Sequence, residues 1–307
     1  MPESLPQTHS IFEQPWWLEA TAPNQWDAVE VEESGRVVAR LPFVYRKKRG
    51  LRIIGQAPLT PTLGPWIEHT SVEENERIAR EKDLFIKLIK KLPKHDSFSQ
   101  NFHPNITNWL PFYWNGYSQT TRYTYTLNTL NRVDDLYHRI RKSTRKEIRR
   151  AENRLTVVPD VSVHKVLEMA KLTFGRQNMR LPYPPELLER IDEAVTSHGL
   201  KVSLASVDQE GQTHSAVYVV GDERRMYLLV SGNDPELRRS QSGTLLRWEA
   251  IQAAAELTKV FDFEGSMLEG VEDFNRKFGA NQTPYLRVFK HNRLVSGMLA
   301  IRRMLTP

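Results

Sequence analysis

Apolar and polar positions alternate along much of the first 70 residues, which predicts short strands separated by turns. Ser34-Gly35 is a hairpin signal. Residues 57–66 carry three prolines and a glycine, which excludes a regular element there and indicates a shaped loop. The predicted elements of this part are strands 28–32, 36–45, 51–55, 97–102 and 121–127, a helix over 72–92 and an aromatic-rich loop over 104–116.

The second part of the chain begins with a helical period that is rich in basic residues. Asn131 or Asp134 is expected to cap this basic helix, and its apolar stripe consists of Leu136, Ile140, Ile148 and Ala151. The further predicted elements are helices 163–176, 185–198, 243–257 and 271–278, and strands 201–208, 213–221, 225–231, 259–263 and 285–290.

Both parts of the chain show a similar order of strands, helix and further strands, although no internal sequence repeat is visible. A chain of 307 residues also exceeds the usual size of one compact core. The pattern therefore predicts an α+β fold of two tandem lobes, residues 1–130 and 131–307, with mixed, mostly antiparallel sheets flanked by helices.

The net charge of +6 has one source. Residues 138–154 hold eight basic and two acidic side chains, which leaves 35 basic and 35 acidic residues in the rest of the chain. The chain is therefore not generally basic, and a single segment carries its excess positive charge.

Composition excludes several classes of function. The chain has no cysteine, which removes disulfides, thiolate metal sites and a thiol nucleophile, and its nine histidines show no metal-ligand spacing, so no metal is expected. Neither a long apolar run nor a leader in residues 1–7 is visible. We expect a protein without a membrane span, located in the cytoplasm.

Two segments of the second part are candidates for chemistry. Residues 234–246 link a strand to a helix, and a helix start with a nearby glycine suits a phosphate group. In residues 260–266, strand alternation places Asp262 and Glu264 on one face, where one can act as a general base and the other can orient a substrate. The alternative is that one carboxylate pairs with an arginine and the other faces solvent.

The acidic segment, together with the residues on its C-terminal side, resembles a known family. The order Phe261-Asp262-Phe263-Glu264-Gly265-Ser266, then Phe274-x-x-x-Phe278-Gly279, then a strand that begins at Tyr285, resembles the FemABX-like branch of the GNAT superfamily of acyl-CoA N-acyltransferases. The basic run 140–152 and the segments 110–127 and 243–254 extend the resemblance over residues 10–290.

The resemblance implies two tandem GNAT-like lobes and the transfer of an acyl or aminoacyl group onto an amine. By analogy with the acyl-CoA turn of the superfamily, the donor is held by Arg238, Arg239, Ser242, Gly243 and Thr244. Gln241 stands where that turn has its first glycine, and Asn275 stands where the family often has lysine, so Arg276 or Lys277 is expected to replace that cation.

The basic helix has three interpretations. It is a solvated face, a phosphate-binding helix that presents Arg141, Arg145 and Arg149 in one row, or a tRNA contact. We predict that Arg145, Arg149 and Lys277 bind acceptor phosphates. The aromatic residues Trp66 and Tyr285 are further candidates for substrate contact, although most aromatic residues of the chain are expected in the core.

The predicted function is transfer of an acyl group from acyl-CoA to an amino group of a phosphate-bearing carbohydrate or cell-envelope precursor, such as a nucleotide-sugar or lipid-linked acceptor. Asp262 or Glu264 is the predicted catalytic base. An alternative is an aminoacyl-tRNA-dependent transferase that extends a peptidoglycan precursor peptide. A third is a non-enzymatic binder of nucleic acid or of an anionic surface.

Overall fold

A computed structural model describes residue 5, residues 8–265 and residues 267–305. Most of the segment 1–7, where the sequence predicts no leader, and Ser266 of the acidic segment lie outside these residues. The helices are α1 Pro15–Thr21, α2 Glu74–Lys91, α3 Leu110–Trp114, α4 Val133–Arg139, α5 Lys142–Glu152, α6 Val163–Gly175, α7 Pro185–His198, α8 Ser242–Ala255, α9 Glu269–Arg276 and α10 Arg293–Leu305. The strands are β1 Trp26–Glu33, β2 Arg36–Lys48, β3 Leu51–Gly55, β4 Trp66–Ile67, β5 Ser97–Asn101, β6 Ser118–Leu127, β7 Thr156–Pro159, β8 Leu200–Val207, β9 Thr213–Gly221, β10 Met226–Asn233, β11 Phe261–Asp262 and β12 Asn281–His291.

The chain divides into two compact units. Unit 1 consists of Met1–Arg122 and Pro284–Pro307, and unit 2 consists of Tyr123–Thr283. These units are defined by their internal contacts, and their bounds differ from those of the predicted lobes. The predicted lobes, residues 1–130 and 131–307, therefore stay a prediction.

Unit 1 is built on an antiparallel meander of β1, β2 and β3. The helix α2 crosses over from this meander to β5, which runs parallel to β3, and β12 completes the sheet antiparallel to β5. Its core contains large side chains from the sheet and from α2, including Phe43, Phe85 and Phe98, each about 1% exposed or less. Burial of this apolar surface is the main source of stability for such a unit.

Unit 2 repeats this order of elements. An antiparallel meander of β8, β9 and β10 is followed by α8, and β11 returns parallel to β10. The strand β6 then pairs antiparallel with β11, while β7 lies on the far side of β8. The apolar stripe predicted for the basic segment is buried here, because Leu136, Ile140, Ile148 and Ala151 all belong to the core of this unit.

The strand that completes each sheet comes from a distant part of the chain. Residues 126–127 of β6 follow unit 1 in sequence yet pair with β11 of unit 2. Conversely, residues 287–291 of β12 follow unit 2 in sequence yet pair with β5 of unit 1. The sequence segments 1–130 and 131–307 thus exchange their last strands, each of which pairs with a strand of the other segment.

The predicted α+β fold with mostly antiparallel strands flanked by helices is confirmed. One continuous basic helix was the wrong prediction, since Ile140 and Arg141 separate α4 from α5 and the Arg141 N–H donates to the Lys277 carbonyl at 2.9 Å. Neither Asn131 nor Asp134 caps the segment, because Arg132 occupies the position before α4. The sequence patterns also missed α1, α3, β7 and α10.

Two findings concern function classes. Within the described residues, no helix is both long enough and apolar enough to cross a bilayer. The same part of the chain holds no group of three or more histidine or acidic side chains that could bind a metal ion.

Candidate active site

A cavity of about 680 Å³ opens at the N-terminus of α8 in unit 2. The chain reaches α8 from β10 through a tight turn at Arg238–Ser240, so the carboxyl end of β10 and the first turn of α8 lie side by side. A helix start presents unpaired N–H donors and a positive dipole end, which together suit an anion. The lining residues come from β10, α8, α6 and α9; they are Thr173, Arg176, Gln177, Asn233, Asp234, Pro235, Arg238, Gln241, Ser242, Gly243, Thr244, Arg247, Leu268, Gly270, Val271 and Phe274.

The backbone shows why glycine suits two positions of the turn before α8. Gln241 has φ 62° and ψ 21°, the left-handed conformation that glycine adopts without cost. Gln241 thus occupies a backbone position that favours glycine. Gly243 is needed for a different reason, because a Cβ there would lie 2.5 Å from Oδ1 of Asn233.

Four of the five predicted donor-binding residues line this cavity: Arg238, Ser242, Gly243 and Thr244. Arg239 does not line it and is exposed. The side chain of Thr244 is buried, and its hydroxyl donates to Glu147 of α5 at 3.4 Å. The geometry thus groups most of the predicted set around one helix start.

Arg247, one turn further along α8, was not singled out by sequence reasoning. Its guanidinium lies 4.4 Å from the ring centroid of Phe274, and its Nη atoms donate weakly to the Gly243 carbonyl at 3.3 Å and to the Ser231 hydroxyl at 3.4 Å. Burial lowers the pKa of Arg247 to about 10, so the side chain stays charged at neutral pH. The one indication in the sequence that Arg247 is buried was its position among the apolar residues Leu245, Leu246 and Trp248.

The parallel pair of unit 2 is short and then separates. Only Met226 with Phe261 and Tyr227 with Asp262 are paired, whereas β10 continues to Asn233 with an irregularity between Leu228 and Val230. Beyond Asp262 the neighbouring strand has ended, which leaves the carboxyl end of β10 without a partner on that side. Ligands of sheets with parallel strands bind in such crevices at the carboxyl ends of the strands.

Asp262 is a buried carboxylate whose oxygens are both occupied. Oδ1 accepts from the Thr124 hydroxyl and from the Glu264 N–H, and Oδ2 forms an ion pair with Arg225 at 3.2 Å. Burial raises the pKa of Asp262, while Arg225 and Thr124 oppose that rise. Its contacts match the alternative in which one acidic residue is a structural partner of an arginine.

Glu264 has a different environment. It lies beyond the end of β11 with φ 52°, so the strand alternation that predicted its face does not apply to it. Its Oε1 is buried and accepts no hydrogen bond among the described residues. Burial and the charge of Asp262 raise the pKa of Glu264 well above its ordinary value. A carboxylate with a raised pKa and a free oxygen has the properties of a general base.

Tyr183 is, like Tyr285, a tyrosine whose hydroxyl the sequence offers as a hydrogen-bond donor, although a structural role is commoner for a buried tyrosine. It is 8% exposed, and burial, followed by the charge of Glu264, raises its pKa to about 12. Its phenol is therefore neutral at physiological pH and lies within electrostatic reach of Glu264. The Pro-rich turn before α7 gave no sign of this neighbourhood.

The two predicted arginines of the basic segment gather around one tyrosine. The Arg145 guanidinium lies 5.9 Å from the Tyr137 ring centroid, and Nε of Arg149 donates to the Tyr137 hydroxyl at 3.3 Å. Arg149 is exposed and Arg145 is half-buried. In the described part of the chain, no basic side chain of residues 138–154 forms an ion pair. Within the described residues, the segment thus carries its positive charge without an ion-pair partner.

Residues 275–277 consist of a buried asparagine followed by two cations. Asn275 is 1% exposed, and its Nδ2 has no hydrogen-bond partner among the described residues. Lys277 and Arg276 instead form ion pairs with Asp273, at 2.6 and 3.0 Å. Neither cation takes the buried place of Asn275, and the predicted phosphate-binding role of Lys277 competes with its ion pair.

Trp66 and Tyr285 belong to unit 1, whereas the other predicted site residues belong to unit 2. Trp66 lies in β4, pairs with Arg40 of β2 and is 8% exposed, and Tyr285 of β12 is 9% exposed. Both are therefore core aromatic residues of unit 1.

Comparison with known proteins finds one family model that matches part of the chain. Residues 139–276 match the acetyltransferase (GNAT) domain. No curated protein sequence matches the chain significantly. The matched segment runs from the end of α4 to the end of α9. It contains the residues that line the α8 cavity and also Asp262 and Glu264, which do not line it.

Solved structures share the fold at low sequence identity. The crystal structure of FemX has a TM-score of 0.66 at 14% identity, with 90% of this chain and 91% of FemX covered. The C-terminal domain of a putative lysylphosphatidylglycerol synthetase from Agrobacterium fabrum has a TM-score of 0.56 at 11% identity, with 92% and 88% covered. A tandem GNAT protein from the clavulanic acid biosynthesis pathway has a TM-score of 0.52 at 11% identity, with 88% and 84% covered.

Proposed function

This chain carries a GNAT domain on a FemABX-like, tandem GNAT fold, and from that premise we propose that it transfers an acyl group from acyl-CoA to an amino group of a phosphate-bearing carbohydrate or cell-envelope precursor. The match to the GNAT domain supports the coarse activity, N-acyl or aminoacyl transfer. The identity of the donor, the identity of the acceptor and the roles of individual residues are what we propose. Because acyl-CoA is a cytoplasmic donor, the proposal places the reaction in the cytoplasm.

The cavity at the start of α8 is the observation that carries the proposal. It combines a helix N-terminus, the left-handed turn at Gln241 and the close-packed Gly243 with the exposed cation Arg238. Backbone N–H groups and a guanidinium are the donors that bind a pyrophosphate. Glu264 does not line this cavity, so the proposal requires the adjacent crevice at the end of β10 to bring the thioester to it.

In the proposed reaction the acceptor amine attacks the thioester carbonyl carbon, and Glu264 accepts the proton that the amine loses. The carbon–nitrogen bond forms, the carbon–sulfur bond breaks, and the CoA thiolate leaves and takes a proton from solvent. Backbone N–H groups polarise the carbonyl. Asp262 supports this chemistry indirectly, since its Oδ1 accepts the Glu264 N–H and its charge raises the pKa of Glu264.

Arg145 and Arg149 are the proposed contacts for acceptor phosphates. Both lie beside Tyr137 and neither has a carboxylate partner in the described part of the chain. Arginine binds phosphate with two parallel hydrogen bonds, which gives geometric selectivity as well as affinity. Lys277 joins this set only if a ligand displaces it from Asp273.

A second candidate is an aminoacyl-tRNA-dependent transferase that extends a peptidoglycan precursor peptide. The basic segment, which forms no ion pairs among the described residues, favours it, because a nucleic-acid backbone would supply the missing negative charge. The likeness to FemX and to the putative lysylphosphatidylglycerol synthetase points in the same direction.

Direct binding of the two donors separates the candidates. Calorimetric titration with acetyl-CoA and filter binding with charged tRNA are run on the same protein at two salt concentrations. Saturable acetyl-CoA binding without tRNA binding supports the acyl-CoA reaction. Binding of tRNA that weakens steeply with salt, without CoA binding, supports the aminoacyl reaction.

The non-enzymatic alternative makes a different prediction. If the chain only binds an anionic surface, Arg145→Glu with Arg149→Glu abolishes its binding while Glu264→Gln changes nothing. Loss of turnover in Glu264→Gln would exclude it.

A further inference from the structure

Arg247 is a cation in the wall of the α8 cavity, and no acidic group forms an ion pair with it in the described part of the chain. Its Nε is buried and has no hydrogen-bond partner there, and its two Nη contacts are long. A buried charge is costly unless it is paired or fully hydrogen-bonded. The described residues compensate the charge of Arg247 only in part, and a bound anion would supply the missing partner.

The neighbours of Arg247 hold the guanidinium in place. Phe274 of α9 covers one face at 4.4 Å, the Gly243 carbonyl accepts from Nη1, and the Ser231 hydroxyl on β10 accepts from Nη2. These contacts come from three elements and fix the orientation of a planar group. The guanidinium is thus preorganised, and a bound anion would lose little additional side-chain freedom.

The position of Arg247 differs from that of the phosphate turn. Four residues separate it from Gly243, which is one turn of helix, and its Ser231 contact lies on the part of β10 beyond the short parallel pair. Asp234, which lines the same cavity, accepts the N–H of Glu236 with its Oδ1 and forms no ion pair with Arg247. The cavity therefore offers a second positive site deeper along α8 than the helix start.

We propose that Arg247 forms an oxyanion subsite in this cavity, which takes a carboxylate or phosphate group of the substrate beyond the group held at the start of α8. This inference rests on the proposed function for the identity of the substrate but not for the anion site itself. A planar fork beside an aromatic face matches a carboxylate, and both oxyanions accept charge-assisted hydrogen bonds from it.

The test uses succinate and inorganic phosphate as probes on the full chain. Thermal shift and calorimetric titration are performed with each anion at constant ionic strength for the unchanged protein, Arg247→Met, Arg247→Lys and Arg176→Met. Arg176 is the matched control because it is an exposed arginine that lines the same cavity. Loss of hydrogen bonds to a charged group predicts roughly 10- to 100-fold weaker anion binding in Arg247→Met. Arg176→Met should change it by less than about threefold, as expected for an exposed charge.

The two anions distinguish the sources: preference for succinate indicates a carboxylate on the substrate, and preference for phosphate indicates a phosphate. Equal losses in Arg247→Met and Arg176→Met, or no saturable response to either anion, would overturn the subsite. The apo stability of Arg247→Met should not fall, since the variant removes an unpaired charge, and a marked fall with unchanged anion binding would show a purely structural role.

Acetyl-CoA binding is measured in parallel to separate this inference from the proposed function. If acetyl-CoA fails to bind while anion binding depends on Arg247, the acyl-CoA proposal fails and the subsite stands. If acetyl-CoA binds and the anion response does not depend on Arg247, the subsite fails alone.

Discussion

Glu264 and Asp262 are two residues apart and have opposite environments. Asp262 has hydrogen-bond donors or a cation at both oxygens, whereas Oε1 of Glu264 is buried without a partner among the described residues. The charge of the first carboxylate raises the pKa of the second. Two acidic residues with divergent environments are a common way to divide structural and proton-transfer roles.

Glu264→Gln should lower turnover by roughly 10²- to 10⁴-fold, the usual contribution of a general base. Because Glu264 must be ionised to accept a proton and its pKa is raised, turnover of the unchanged enzyme should increase with pH until that raised pKa is passed. The folded protein also holds the Glu264 proton more tightly than the unfolded chain does. Stability should therefore fall as pH rises from the ordinary range of glutamate through the raised pKa, and Glu264→Gln should remove this loss. Turnover and chemical unfolding measured across pH test both effects.

Two neighbouring variants control this experiment. Glu269→Gln changes an exposed glutamate in the first turn of α9 and should leave turnover and its pH dependence unchanged. Asp262→Asn breaks a buried ion pair and should lower the free energy of unfolding by roughly 3 kcal/mol. A pH profile of Glu264→Gln that matches the unchanged enzyme would rule out Glu264 as the base.

Gln241→Gly should stabilise the protein. The left-handed conformation costs a residue with a side chain roughly 1–2 kcal/mol, and the greater flexibility of glycine in the unfolded chain returns roughly 0.5–1 kcal/mol of that. Urea unfolding should thus show a net gain of about 0.5–1 kcal/mol. Gln241→Ala keeps the Cβ and should show no gain, and a gain of the same size in both variants would contradict the strain at Gln241.

At the scale of elements, α5 presents rows of like charge to solvent. Lys142, Lys146 and Arg150 follow each other at intervals of four residues, and all three are exposed without ion pairs in the described part of the chain. Such pairs destabilise an isolated helix by roughly 0.2–0.5 kcal/mol each. An anionic ligand at this face would offset that cost, and we predict that α5 binds one.

Reversing the charge of Arg149 and Arg150 together should therefore leave the free energy of unfolding unchanged or slightly higher. Binding of an anionic substrate should become weaker by at least about tenfold and lose part of its salt dependence. Lys90→Glu, an exposed cation on α2, is the matched control. Unfolding curves and substrate titrations at two salt concentrations decide the outcome, and unchanged substrate affinity would remove α5 from the binding surface.

The sequence predicted most elements because their apolar positions recur with a clear period, as in α5 and α7. It did not predict the break at Arg141, which depends on a hydrogen bond to Lys277, a residue 136 positions away. It placed Glu264 in a strand that ends at Asp262. Contacts between residues far apart in sequence determine both the break in the helix and the end of the strand. The local pattern of apolar residues holds no information about such contacts.

The same limit applies to the site. The turn at Arg238–Gly243 could be predicted because its chemistry is local to a helix start. Arg247 and Tyr183 could not, since their significance comes from Phe274 and Glu264, which the fold brings to them. Trp66 shows the reverse case, because its Pro-rich neighbourhood suggested a cleft while β2 and β4 bury it.

At the scale of the whole molecule, the exchanged strands predict how the chain can be divided. A fragment of residues 1–130 lacks β12 and leaves β5 without its antiparallel neighbour, and a fragment of residues 131–307 lacks β6. Each fragment alone should show a non-cooperative unfolding transition and bind a hydrophobic dye. Coexpression of both should restore cooperative unfolding, because every strand is then present. Cooperative unfolding of either fragment by itself would contradict the dependence on exchanged strands.

The exchange also governs the order in which the protein can mature on the ribosome. The segment that forms β5 ends at Asn101, but residues 287–291 that cover its edge are made 186 residues later. At roughly 5–20 residues per second, β5 waits on the order of 10–40 s with an open edge. An open strand edge is a template for pairing with another chain. We therefore predict that a nascent chain of this protein needs protection, by a chaperone or by slow initiation that keeps neighbouring chains apart, until residues 287–291 have been made.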